Sequence, residues 1–235
     1  MQEKKSPFKK PSRKHQPKGL SILYEDHDIL VVDKVAGLLT MGTDREREKT
    51  AHFALNDYVK KGNERSKKRV FIVHRLDRET SGVLIFAKSE KTKRYLQDNW
   101  PEFSKTYLTV VHGKLKDKEG EITSYLTENK AFRVYSANNP DKGKLSKTGY
   151  KVIKESGKYS LLEINLLTGR KHQIRVHMSE KDHPVVGDKM YGTPDKGIKR
   201  LALHATSLTI RHPITQKEMT FETETPPYFK TLIKL

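Results

Sequence analysis

Apolar positions along the chain fall into short solid runs rather than long periodic stripes. Ile29-Leu30-Val31-Val32, bounded by Asp28 and Asp33, reads as a buried strand, as does Val83-Leu84-Ile85-Phe86 after Gly82. Tyr107 to Val111 predicts a third strand, and residues 201–210 and 218–222 two more. Tyr150 to Lys154 and Tyr159 to Asn165 flank Glu155-Ser156-Gly157-Lys158, a turn signal that predicts a hairpin. Helical signals are fewer. Ser89 can cap a helix from Glu90 to about Trp100 with Tyr95 and Leu96 inward, and a second helix is expected after Thr168. Strands outnumber helices and hairpins recur, which predicts an α+β fold: a mainly antiparallel mixed sheet flanked by helices and loops. The polar, basic stretches 60–69 and 136–148 read as loops, the first within a longer loop over 43–69.

Charge changes this picture. The chain has 235 residues, with 47 Lys and Arg against 29 Asp and Glu, a net charge of +18. Such a surface attracts polyanions, and a nucleic acid is the expected partner. Residues 1–19 hold six lysines and Arg13 against one acid, Glu3, with three prolines and almost no apolar residues. This composition predicts a disordered basic arm that contacts phosphates, ahead of a single domain over residues 20–235. The absence of cysteine excludes disulfides, thiolate-ligated metals and thiol catalysis, and suits a reducing compartment. No apolar run approaches the length of a membrane span, and no signal-type apolar segment opens the chain, so the cytoplasm and a monomer are the default expectations.

Three segments carry candidate chemistry. In residues 72–88 (IVHRLDRETSGVLIFAK), Asp77 sits among His74, Arg75 and Arg78 just before a strand. Neighbouring cations favour the ionised carboxylate, which suits a nucleophile or base. They suit a salt-bridged turn equally, and local residues leave both readings open. In residues 166–178 (LLTGRKHQIRVHM), a helix starting after Thr168 would align Lys171, His172 and Arg175 on one cationic face, with Arg170 near its positive N-terminus. His172, His177 and His183 make a poor metal set, because their spacing spreads them over different faces and cations surround them. Tyr107, inside a strand signal, fits sheet packing or stacking on a displaced base.

Taken in order and spacing, these segments resemble the RluA family of RNA pseudouridine synthases. The resemblance runs from residues 22–26 and 29–39 through HRLDRETSG (74–82), KTYLTVVHG (105–113) and LTGRKHQIRVHM (167–178). HPVVGDKMYG (183–192) and the segment 201–213 complete it. One departure is Val35, where the family usually has proline, which is expected to loosen a turn. The resemblance implies the family's catalytic fold, in a compact member without an S4-type module. It implies isomerisation of uridine to pseudouridine in rRNA or tRNA, with Asp77 as nucleophile after base flipping. Tyr107 would stack on the base and assist proton removal, Arg175 would pair with Asp77, and Arg75 would fill the gap left by the flipped base. His74, Arg78, Arg170 and His172 would contact the RNA, His74 also shaping the loop together with Thr80, Ser81 and Gly82. No metal, cofactor or nucleotide is expected, since the reaction has no redox or phosphoryl-transfer step. The rival readings are a non-catalytic RNA-binding or ribosome-assembly factor on the same fold, a hydrolase and a nuclease. The first would be expected to lack Asp77 or Tyr107, the second needs another acid/base group, and the third needs a carboxylate cluster.

Overall fold

The computed structural model describes residues 11–12, 15–43, 46–192, 197–198 and 200–234. The first half of the chain forms β1 (Leu20–Glu25), β2 (Ile29–Lys34), α1 (Ala51–Lys60), β3 (Phe71–Ile72), β4 (Ser81–Ala87), α2 (Glu90–Asp98) and β5 (Ser104–His112). The second half forms β6 (Glu119–Glu128), β7 (Val134–Ser136), β8 (Lys144–Ser156), β9 (Tyr159–Leu166), α3 (Gln173–Glu180), β10 (Leu203–Arg211), β11 (Glu218–Glu222) and α4 (Pro227–Ile233). The strands join in one sheet ordered β1-β2-β4-β10-β5-β9-β8-β6-β7, with β3 added to β4 and β11 to β10. Pairings between these strands are antiparallel except β4 with β10, where Ser81 and Gly82 run parallel to His204 and Ala205. The expected mainly antiparallel α+β architecture is therefore what forms.

The solid apolar runs have a simple cause. Side chains alternate across a strand, and β2 and β4 are covered on both faces. Leu30, Val32, Leu84 and Phe86 pack with Ala51, Leu55 and Val59 of α1. The intervening Ile29, Val31, Val83 and Ile85 pack with Leu96 of α2 and with Leu208, Ile210 and Phe221. A third cluster, built on β5, β9, α3 and α4, fills the other half of the sheet.

One close approach fixes where the site forms. Gly82 has φ +112, and a Cβ there would lie 2.1 Å from the carbonyl oxygen of Ala205. Only glycine allows β4 and β10 to meet at this point.

Two loop expectations need correction. Within 43–69, residues 51–60 are α1, started by Thr50, whose side chain accepts the Phe53 N–H. Within 136–148, residues from Lys144 onward belong to β8, paired along β6. Both segments look polar because one side of each faces solvent. The expectation of a disordered tail falls mainly on residues 1–10 and 13–14, outside the described residues. The described end of that segment is tied down. The Gln16 amide donates to Pro11 O at 2.8 Å, and its Oε1 accepts the Ile22 N–H at 2.7 Å. Val35 does not loosen its turn either, because its N–H, which proline would lack, donates to Gly19 O at 3.1 Å.

Candidate active site

Asp77 lies on the loop between β3 and β4, and this loop is fastened to the turn that follows β2. Thr40 Oγ1 donates to Leu76 O at 2.9 Å and accepts the Leu76 N–H at 3.2 Å. The Gly37 N–H donates to Arg78 O at 2.8 Å. Lys34, fully buried, donates from Nζ to the carbonyls of Val35, Leu38 and Arg78 at 3.1, 2.8 and 3.2 Å. Burial pushes the Lys34 ammonium down to about 8, against the pull of Asp77, Glu79 and Asp33. Three carbonyls match three ammonium hydrogens, so the charged form is the one this pocket accommodates.

The carboxylate points into a cavity of about 640 Å³ lined by the Asp77 loop, residues 39–43, Tyr107, and residues 169–175. Arg175 approaches it with Nη1 3.2 Å from Asp77 Oδ2. The same guanidinium is held from behind by Asp188, with Nε to Oδ2 at 2.7 Å and Nη2 to Oδ1 at 2.9 Å. Asp188 is itself oriented by the N–H groups of Met190 and Tyr191 on Oδ1, at 2.9 and 3.0 Å. Burial works against both charges. The mutual hydrogen bonds outweigh it, raising Arg175 above its ordinary range and lowering Asp188. Asp77 thus faces a cation whose orientation is set by a different carboxylate.

The 166–178 segment departs from expectation. α3 begins only at Gln173, after a turn in which His172 takes φ 54, in the left-handed region. Lys171, His172 and Arg175 therefore share no helical face: Arg175 turns inward, and Lys171 bonds outward to Glu128 and Phe132 O. His172 Nε2 stands 3.8 Å from Asp77 Oδ2. Burial first, then Arg175 and Lys171, lower its basicity, although Asp77 and Asp188 favour the charged ring.

Tyr107 lines the cavity wall. Burial, then the Asp77 charge, hold its phenol well above the usual range, so its hydroxyl is protonated beside the carboxylate.

The remaining expected residues reach the cavity in different ways. Arg75 is exposed and touches the Met41 sulfur at 3.5 Å. Arg78 donates to Gly37 O and pairs with Glu46 at 3.4 Å. Arg170 donates to Leu145 O at 3.3 Å. His74 is a pin rather than a cation: it stacks on Trp100 at 4.3 Å and its Nε2 accepts the Ile85 N–H. Burial, then Lys105, push it down to about 3.

Other buried histidines behave alike. Burial pushes His177 and His204 down to about 4, with Arg200 adding to the shift of His204 and Glu180 opposing that of His177. His204 lies between Ser81 Oγ at 2.8 Å and Thr223 Oγ1 at 2.7 Å, so Ser81 is a buried structural hydroxyl. Unfolded histidine titrates near 6.5, so between there and about pH 4 the unfolded chain binds more protons. Their stabilisation is present above about pH 6.5 and is lost as pH falls. We expect the unfolding free energy from urea titrations to drop by on the order of a few kcal/mol on going from pH 7.5 to 5, with the midpoint falling at constant m. A rise would contradict neutral burial of these rings.

Among the described residues, Asp26, Asp28 and His212 lie close enough to share an ion. Both nitrogens of His212 are already used, Nδ1 by the Ile214 and Thr215 N–H groups and Nε2 by Asp26. The trio ties the end of β10 to the β1–β2 turn.

The family model described as RNA pseudouridylate synthase matches residues 28–180, well over half the chain. The chain belongs to the RNA pseudouridylate synthase family. It is 34% identical over 219 residues to the Bacillus subtilis "Uncharacterized RNA pseudouridine synthase YhcT", covering 92% of this chain and 72% of the relative. It is 36% identical to the "Ribosomal large subunit pseudouridine synthase D" of Borreliella burgdorferi, covering 81% of this chain and 61% of that protein. For the "tRNA pseudouridine synthase C" of Pectobacterium carotovorum subsp. carotovorum the values are 33%, 86% and 58%. The solved structure of "Human RNA Pseudouridylate Synthase Domain Containing 1" superposes with a TM-score of 0.71 at 28% identity, covering 91% of this chain and 86% of that one.

In this pseudouridine synthase the matched region contains Asp77, Tyr107, His172 and Arg175, but ends before Asp188 and Tyr191. Sequence reasoning missed both as site residues. The signal that could have found them was the segment HPVVGDKMYG (183–192), part of the resemblance, which contains both.

Proposed function

We propose that this chain isomerises uridine to pseudouridine in rRNA or tRNA as an RluA-type synthase acting in the cytoplasm, with Asp77 as nucleophile on a flipped base. The observation that carries the site assignment is the Asp77–Arg175–Asp188 array opening into the cavity beside Tyr107. Net isomerisation breaks the bond from the sugar to the uracil nitrogen, forms one to carbon 5, and moves the carbon 5 hydrogen off as a proton while the nitrogen gains one. A single carboxylate paired with Arg175 in this cavity fits that demand without an external reagent. The protonated Tyr107 ring offers a face for the base, and Arg75, exposed at the rim, has the planar cation suited to take its place in the stack. A non-catalytic RNA-binding role would leave this array without a use.

Mapping pseudouridines transcriptome-wide in cells with and without the gene tests the reading. Loss of one or more rRNA or tRNA sites is expected, restored by the wild-type gene. An unchanged map, with no activity of the purified chain on the unmodified RNA, would overturn it.

The basic N-terminal segment gives a separate expectation. Removing residues 1–10 takes away Lys4, Lys5, Lys9 and Lys10 while leaving the Gln16 bonds in place. RNA affinity should fall, and the slope of log K against log salt should flatten by about 0.7 for each lost single-strand phosphate contact. An unchanged slope in filter-binding titrations would show that these lysines release no counterions.

A further inference from the structure

Tyr191 is where the β6–β7 hairpin meets the catalytic centre. Its ring packs with Leu126, Val134 and Val176 in a small buried cluster. The guanidinium carbons of Arg133 and Arg175 lie 5.0 and 5.1 Å from its centroid, so two cations share one aromatic ring. Its N–H donates to Asp188, and its carbonyl accepts from Ser179 Oγ at 2.6 Å. With the ring fixed from so many directions, the phenolic hydrogen is what remains to be placed.

The phenol oxygen accepts the Val134 N–H at 3.0 Å and stands 2.9 Å from Nδ1 of His172. Its own hydrogen needs an acceptor, and among the described residues Nδ1 is the one within reach. A nitrogen that accepts carries no hydrogen, so the hydrogen of a neutral ring sits on Nε2, the atom 3.8 Å from Asp77. The left-handed backbone at His172 is uncommon for a residue with a Cβ, so the surrounding structure imposes the ring's placement.

We propose that Tyr191 is a positioning residue for the isomerisation: its phenol fixes the His172 tautomer whose Nε2–H is turned toward the Asp77 carboxylate. The proposal rests on Asp77 being the nucleophile. That carboxylate gives up its charge on bonding to carbon and regains it when the bond breaks. A neutral N–H donor assists the second event without transferring a proton, and the 3.8 Å separation must shorten into hydrogen-bond range when substrate is bound. The groups facing His172 are Asp77 and Asp188, which favour the charged ring, and Arg175 and Lys171, which with burial oppose it.

The test uses the full chain labelled with nitrogen-15 histidine, with His172→Asn serving only to assign the resonance. The wild type at pH 7.5 should show His172 as the Nε2–H tautomer. A dominant Nδ1–H form or an imidazolium overturns the proposal, and this readout needs no variant to fold. Tyr191→Phe keeps the ring and removes the donor. On the transcript the wild type modifies, we expect kcat to fall about tenfold or more with KM within about twofold. Its acid limb should move to higher pH, because Nδ1 loses the partner that resists protonation. A variant with wild-type kcat and an unmoved acid limb overturns the proposal. Turnover retained by Asp77→Asn would instead remove the nucleophile assignment and leave the tautomer result standing.

Discussion

Replacing Asp77 with Asn is expected to abolish pseudouridine formation, by at least about 10⁴-fold in kcat, while RNA affinity stays within a few-fold of wild type. The amide has the same shape and still offers an oxygen to Arg175 Nη1, but it is uncharged and a poor nucleophile. The hydrogen bonds that hold the loop go to its backbone: Thr40, Gly37 and Lys34 bind groups of Leu76 and Arg78, and although the Asp77 charge helps keep Lys34 protonated, Glu79 and Asp33 do the same. Arg175 keeps its two bonds to Asp188, so no buried cation is orphaned. Release of label from carbon 5 of uridine reports turnover, and filter binding reports affinity. Turnover in the variant would remove Asp77 from the chemistry.

Arg175→Met should cost more stability than any other change in the site. It leaves the Asp188 side chain, which is 0% exposed, as a buried charge without its cation. Breaking such a pair from one side costs about 3–5 kcal/mol. Adding Asp188→Asn removes the charge while keeping an oxygen for the Met190 and Tyr191 N–H groups. Much of the lost stability should therefore return in the double variant, whereas activity should not, since Asp77 has still lost its cation. Urea midpoints of the four proteins close the cycle. Losses that simply add would show that Arg175 and Asp188 are not coupled.

What could be seen in the sequence followed from locality. The β2 and β4 runs, the Ser89 cap of α2 and the β8–β9 hairpin turn are written in consecutive residues, and each formed where expected. α1 was hidden because its apolar residues do not fall on one stripe: Ala51, Leu55 and Val59 are buried, but Phe53 points to solvent, 48% exposed. The start of α3 was placed several residues early, since nothing local marks His172 as left-handed. At the site, Asp77, Arg175 and Tyr107 were legible through an ordered set of motifs, and the fold brings them to one cavity. Asp188 and Tyr191 stand inside the matched segment 183–192, but their roles were not legible, because they depend on contacts across the chain: Asp188 to Arg175, Tyr191 to Val134 and His172. His74 lines the same cavity, and its Trp100 stack and Ile85 bond, which no local sequence signal shows, are what give it a loop-shaping part.

The bonds between the Asp77 loop and the β2 turn bear on how the enzyme fails. Amide hydrogens of Leu76 and Gly37 are held by partners more than thirty residues away, and Lys34 joins the same knot from inside the core. A loop anchored in this way belongs to the same cooperative unit as the central sheet. Its amides should exchange with solvent only as slowly as those of β2 and β4, unlike the outer hairpin. On heating, the centre should keep full turnover until the sheet itself melts, with no temperature range in which a folded but inactive enzyme accumulates.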